Sequence, residues 1–175
     1  MAAGSFVERK PSSFAIDFVF NTHDFQMEGS RCKLLADYIA KYMAHQFAGA
    51  DRVDNLISSV ANVLLEAVIE LALDETDMSI HCFQDGDDIQ LSIEHTVKKE
   101  ALKPFVEFLG MLYRQDIHDP YSNLLTASRP PVVLFNQMDL AKMVHDSRAR
   151  IAAEVNPDSG VACTQVRLPM KEIAA

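Results

Sequence analysis

The stretch Ile80-His81-Cys82-Phe83-Gln84-Asp85-Gly86-Asp87-Asp88-Ile89-Gln90-Leu91-Ser92-Ile93-Glu94 decides the fold class. Ile80 and Cys82 alternate with His81 and Phe83. Beyond the acidic turn, Ile89, Leu91 and Ile93 alternate with Gln90, Ser92 and Glu94. An Asp-Gly step between two alternating runs predicts a β-hairpin with one buried face, turning over 84–88.

On the N-terminal side lie two helical patterns. From Ser30 to about Phe47 the pairs Leu34/Leu35, Tyr38/Ile39 and Tyr42/Met43 recur at helical spacing, and Gly49 stands where a C-terminal cap would sit. A second helix starts at Asp51, with Asp54 three residues on as a weak capping box. Its stripe of Val53, Leu56, Ile57, Val60, Leu64, Ala67, Val68 and Leu71 is the strongest in the chain. Ahead of both, Phe14, Ile16, Phe18 and Phe20 alternate with Ala15, Asp17 and Val19, which predicts a strand. Residues 21–29 read as a polar loop and residues 1–12 as a flexible tail.

On the C-terminal side a helix is expected over 98–114, facing inward through Phe105, Phe108, Leu109 and Leu112, with Pro104 in its first turn or kinking it. A short helical piece over 120–127 follows, then a break at Ser128-Arg129-Pro130-Pro131 and a strand or connector at 132–135. Asn136 and Asp139 have the spacing of a capped helix start, with Leu140, Met143 and Val144 on one face. Strands over 149–155 and 161–168 close the chain, joined by Asn156-Pro157-Asp158-Ser159-Gly160. Helices do not alternate with single strands, which argues against a doubly wound parallel sheet. The expected architecture is an α+β two-layer sandwich: one mixed, mostly antiparallel sheet with helices packed on one face, forming a single domain over 13–170.

Of the 175 residues, 49% are hydrophobic and 23% charged, which suits one globular domain. A net charge of −9 argues against nucleic acid as a partner. No apolar run is long enough for a membrane span and no leader pattern opens the chain, so no membrane association and a cytoplasmic location are expected. Cys32, Cys82 and Cys163 are odd in number and scattered, as reduced thiols would be.

Several chemistries lack their motifs. The six glycines, Gly4, Gly29, Gly49, Gly86, Gly110 and Gly160, never lie within 19 residues of each other, so no glycine-rich phosphate loop is present. There is no HExxH and no GxSxG. Read as a calcium loop from Asp85, the turn would place Thr96 where the bidentate Glu belongs. Alternation puts His81 and Cys82 on opposite strand faces, and no metal is expected. His118 and His145 have acidic neighbours and read as polar surface positions. Glu66 and Glu70, one helical turn apart beside the apolar stripe, become candidate bases if they face a cleft.

Two stretches resemble the histidine-kinase-like ATPase family (the GHKL or Bergerat fold), especially small stand-alone bacterial members related to anti-sigma-factor kinases. Asn62-Val63-Leu64-Leu65-Glu66-Ala67-Val68-Ile69 is similar to that family's N-box helix, in which a Glu activates water or a hydroxyl and an Asn holds Mg²⁺. Those positions are Val63 and Ala67 here. A three-residue shift puts Glu66 and Glu70 at those positions, but it loses the Leu-Leu-Glu match and still supplies no Asn. Leu140-Ala141-Lys142-Met143-Val144-His145-Asp146, leading to Val166-Arg167-Leu168-Pro169, is similar to the G-box helix and the last strands. The G-box glycines are replaced by Asp139, Leu140 and Ala141, and the DxGxG that often follows the first hairpin by Glu94-His95-Thr96-Val97-Lys98.

The resemblance implies an ATPase-type scaffold whose nucleotide site has degenerated: a non-catalytic bacterial signalling protein, with no cofactor, acting on a protein partner or as a homodimer. Tyr38, Tyr42 and Met43 on the first helix are candidate interface residues. One alternative is an atypical ATP-binding serine/threonine kinase or ATPase using Glu66 or Glu70. Another is a small-molecule binding domain of an unrelated family.

Overall fold

A computed structural model of the chain describes residues 2–3, 14–47, 50–113, 135–156 and 158–170. Among these, the strands are β1 (Ala2–Ala3), β2 (Ala15–Asn21), β3 (Asp77–Asp85), β4 (Asp88–Thr96), β5 (Arg150–Val155) and β6 (Val161–Pro169). The helices are α1 (Thr22–Met27), α2 (Ser30–Ala44), α3 (Ala50–Leu71), α4 (Lys99–Tyr113) and α5 (Gln137–Ser147). The strands form one sheet in the order β1-β5-β6-β4-β3-β2.

The fold is α+β, with helices packed against the sheet. The sheet is not mixed: every pairing among the described residues is antiparallel. The crossover from β4 through α4 and α5 lands on β5, which runs parallel to β4, but β6 inserts between them and is antiparallel to both. That insertion removes the one parallel contact the connectivity allowed.

Alternation along the strands creates the core. Ile80, Cys82, Ile89, Leu91, Ile93, Ile151, Val166 and Leu168 project to one face and are buried under the helices. The opposite face is polar: His81 Nδ1 lies 2.6 Å from Asp17 Oδ1, Gln90 donates to Gln165 at 3.1 Å, and Ser92 Oγ lies 3.2 Å from Cys163 Sγ. His81 and Cys82 stand on opposite faces, as alternation requires.

The hairpin turns through only two residues, Gly86 and Asp87, because Asp85 pairs with Asp88. Gly86 takes φ 63°, the left-handed conformation glycine adopts without strain at the first central position of such a turn. The acidic side chains around it are held by a cation: Arg167 donates to Asp88 at 2.6 Å and to Asp85 at 2.9 Å.

Several boundaries differ from those the patterns suggest. Residues 21–29 are not all loop: Asn21 accepts from the His23 N–H at 3.1 Å, and buried Phe25 holds α1 against the core. At the N-terminal tail, Ala2 and Ala3 pair with Glu154 and Ala153, since β5 would otherwise present a bare edge. Helix α3 begins at Ala50, so Asp51 lies inside its first turn and helps through the helix dipole instead of capping. Pro104 sits beyond the first turn of α4, where it removes the bond to the Glu100 carbonyl. Gly49, His118, the 120–127 helix, the Ser128–Pro131 break and residues 132–134 lie outside the described residues.

Candidate functional site

The long helix α3 presents two rows outside its core stripe. Glu66 and Glu70 are both exposed and line one groove of about 640 Å³. Its other walls are His23, Phe25, Gln26 and Met27 from α1, Gly29 and Cys32 at α2, and Ile69, Asp74 and Lys98. Asn62 donates to Glu66 Oε1 at 3.0 Å, one turn back on the same helix. Lys98 approaches the Glu70 carbonyl and Asp74 Oδ1, both at 3.4 Å, and Gln26 donates to Asp74 at 2.9 Å. Burial and the nearby Glu66 charge push the Cys32 thiol up to about 11, so it stays protonated at neutral pH.

Helix α5 begins beside the other end of this row. Asn136 caps it conventionally, its Oδ1 accepting from the Asp139 N–H at 3.1 Å. The Asn136 N–H is itself taken by Glu70 Oε2 at 2.7 Å, so a carboxylate from α3 sits at the start of α5. Just before it, Phe135 is buried edge-on to Phe105 and Phe108, with ring centres 5.6 and 5.4 Å apart. Leu140 and Ala141 are 1% and 2% exposed, so their side chains fill the core.

The structure therefore splits the candidate residues. Glu66 and Glu70 reach the groove, whereas Asn62 is half-buried, its amide donating to Glu66 and its Oδ1 buried without a partner among the described residues. Val63 packs partly buried against the core, and Ala67 is 2% exposed. Asp139 is half-buried in the first turn of α5 and is hydrogen-bonded to Asn136. The suggested interface residues divide too. Tyr38 is 57% exposed, Tyr42 is partly buried against Phe14, and Met43 is fully buried, because positions 38 and 43 fall on opposite sides of α2.

Lys98, Asp74 and His23 join the groove with no sequence signal, since each comes from a different element. One buried polar group does have a signal: His95 falls on the apolar phase of β4. It is 1% exposed, and neither ring nitrogen has a hydrogen-bond partner. Desolvation pulls its pKa down to about 4, outweighing the upward pull of the nearby Ile93 backbone. No group of three or more His, Cys, Asp or Glu side chains placed to hold a metal occurs among the described residues. No helix among them is long and apolar enough to cross a membrane.

No protein-family model matches the chain, and comparison with curated proteins gives no match.

Proposed function

We propose that this chain is a regulatory protein that acts by binding another protein, on a scaffold resembling the histidine-kinase-like ATPases, without nucleotide chemistry. One observation carries the reading: the start of α5 already holds an anion supplied by the chain itself. Helix N-termini attract phosphate because their first N–H groups are unpaired and the helix dipole is positive there. Here Glu70 accepts from the Asn136 N–H, Asn136 accepts from the Asp139 N–H, and the Asp139 carboxylate stands in the first turn. An incoming phosphate would have to displace one carboxylate and approach another.

Two neighbouring positions support the same reading. Ala67 offers a methyl group where the resemblance places a Mg²⁺-binding Asn. Buried Leu140 and Ala141 stand where it places glycines. A cytoplasmic, bacterial signalling role belongs to this proposal. The alternative, an atypical ATP-dependent kinase or ATPase, draws on the exposure of Glu66 and Glu70 to one groove together with Lys98.

Calorimetry and thermal unfolding with millimolar Mg-ATP and Mg-ADP separate the two. The binding-protein reading expects no heat and no shift in midpoint. ATP turnover that disappears in Glu66→Gln or Glu70→Gln would overturn it.

A further inference from the structure

The groove between α1, α2 and α3 carries a charge imbalance that its own residues do not neutralise. Glu66, Glu70 and Asp74 line it, against one ammonium, Lys98, and the His23 imidazole. Lys98 lies 3.4 Å from Asp74, so Asp74 is the carboxylate it serves. The neighbouring Arg31 is already engaged by Asp24 and Glu28. Glu66 and Glu70 form no ion pair with a cation among the described residues. Asn62 donates to Glu66 Oε1 and the Asn136 N–H to Glu70 Oε2. The second oxygen of each carboxylate has no partner among the described residues.

Beneath this acidic rim the floor is apolar, formed by buried Phe25, Cys32 and Ile69. Burial first, and the Glu66 charge second, keep the Cys32 thiol protonated, so the floor stays uncharged. Met27 stands at the rim, 74% exposed, where α1 ends. A thioether on a flexible, unbranched chain adapts to apolar partners of different shape. The walls are fixed before anything binds. Asn21 caps α1, Phe25 packs edge-on against Phe20 at 5.3 Å, and Gln26 donates to Asp74 at 2.9 Å. A preformed groove loses little entropy on binding.

We infer that this groove docks a basic helical segment of the partner protein, one that presents two Arg or Lys side chains a turn apart beside an apolar residue. The inference rests on the reading of the chain as a protein-binding regulator and names the chemistry of its partner. Charge and spacing carry it. Glu66 and Glu70 stand one turn apart on α3, about 6 Å along the axis, and positions four apart on a second helix repeat at the same interval. Each cation then meets a carboxylate oxygen that the chain leaves unpaired, and the apolar residue meets Met27, Phe25 and Ile69. The groove, about 640 Å³, holds the side chains of one helix face. The same three carboxylates repel an acidic or phosphate-bearing partner. A bare metal ion is a poorer occupant, since no three acidic, His or Cys groups among the described residues converge on one point.

The probes are helical peptides of about 15 residues: one with two arginines four positions apart beside a leucine, one with the arginines two apart, and one with glutamates in their place. Fluorescence anisotropy against the full chain should give micromolar binding for the first alone, weakening about fivefold between about 50 and about 300 mM salt. Glu66→Lys should weaken that binding at least tenfold and Glu66→Gln about threefold, with circular dichroism unchanged because Glu66 is exposed. Glu107→Lys makes the same change of net charge at an exposed position of α4, outside the groove, and should leave binding within twofold of wild type. No binding at about 1 mM peptide, equal losses in Glu66→Lys and Glu107→Lys, or indifference to arginine spacing would each overturn the assignment. The nucleotide experiments read the regulatory role separately. Peptide binding together with ATP turnover keeps the groove and removes that role, whereas no binding and no nucleotide heat removes the groove alone.

Discussion

Replacing His95 with leucine should make the protein both more stable and less sensitive to acid. His95 projects into the core from β4 opposite Ala162, 1% exposed and with both ring nitrogens unpartnered. Burial lowers its pKa from the ordinary 6.5 to about 4. Between those values the unfolded chain binds a proton that the folded chain refuses. The histidine therefore leaves stability intact above pH 6.5 and erodes it as pH falls toward 4. A separation of that size corresponds to about 3 kcal/mol, fully lost near pH 4. The leucine variant has no such proton to bind. At pH 7 it should gain a further increment of about 1–3 kcal/mol from removing unpaired polar atoms.

The assay is urea unfolding of both proteins at pH 7, 5.5 and 4.5. The exposed carboxylates also lose stabilisation in acid. Glu28 is held low by Ser30 and Arg31, Asp37 by Lys33 and Ser58, and Asp146 by His145 and Lys142. They act equally in both proteins, so the difference between wild type and variant is the readout. It should widen by about 2–3 kcal/mol between pH 7 and pH 4.5. Parallel pH profiles would refute the reasoning, because they would mean that the imidazole finds a partner or solvent in the folded state.

Three further outcomes follow from single contacts. Glu75 is exposed and adopts φ 58°, so Glu75→Gly should raise stability by about 0.5–1 kcal/mol, read as a higher urea midpoint with unchanged slope. Phe135→Ala empties the space between Phe105 and Phe108 and should cost about 3–5 kcal/mol by chemical denaturation. Burial raises the Cys82 thiol to about 12 and the Cys32 thiol to about 11, so an aromatic disulfide reagent at pH 8 should label partly exposed Cys163 first and the other two only on unfolding.

Much of the fold was legible because burial in this chain follows period. The hairpin could be read from Ile80 to Ile93, since apolar residues alternate along both strands and are buried. That Gln90 and Ser92 on the other face of β4 are buried as well was not legible, because it depends on what packs over that face. The stripe of α3 and the Asn136 cap were legible for the same local reason. Helix α1 was not, because its stability comes from one residue, Phe25, packing against distant neighbours such as Phe20. The spacing of Glu66 and Glu70 singled out the pair but not its two fates. One turn of α3 separates a carboxylate bonded to Asn62 from one that meets the start of α5.

By itself the sequence determined the element types apart from α1, the apolar faces of the strands and the absence of a glycine cradle, because these depend on neighbours within a few positions. Tertiary structure alone decided that β6 inserts between β4 and β5 and makes every pairing antiparallel. It also decided that Glu70 supplies the anion at the α5 terminus, and that β2 is left at an edge of the sheet. Those outcomes join residues as far apart as Glu70 and Asn136. Whether such residues meet is set by how the layers pack, and no local pattern encodes that.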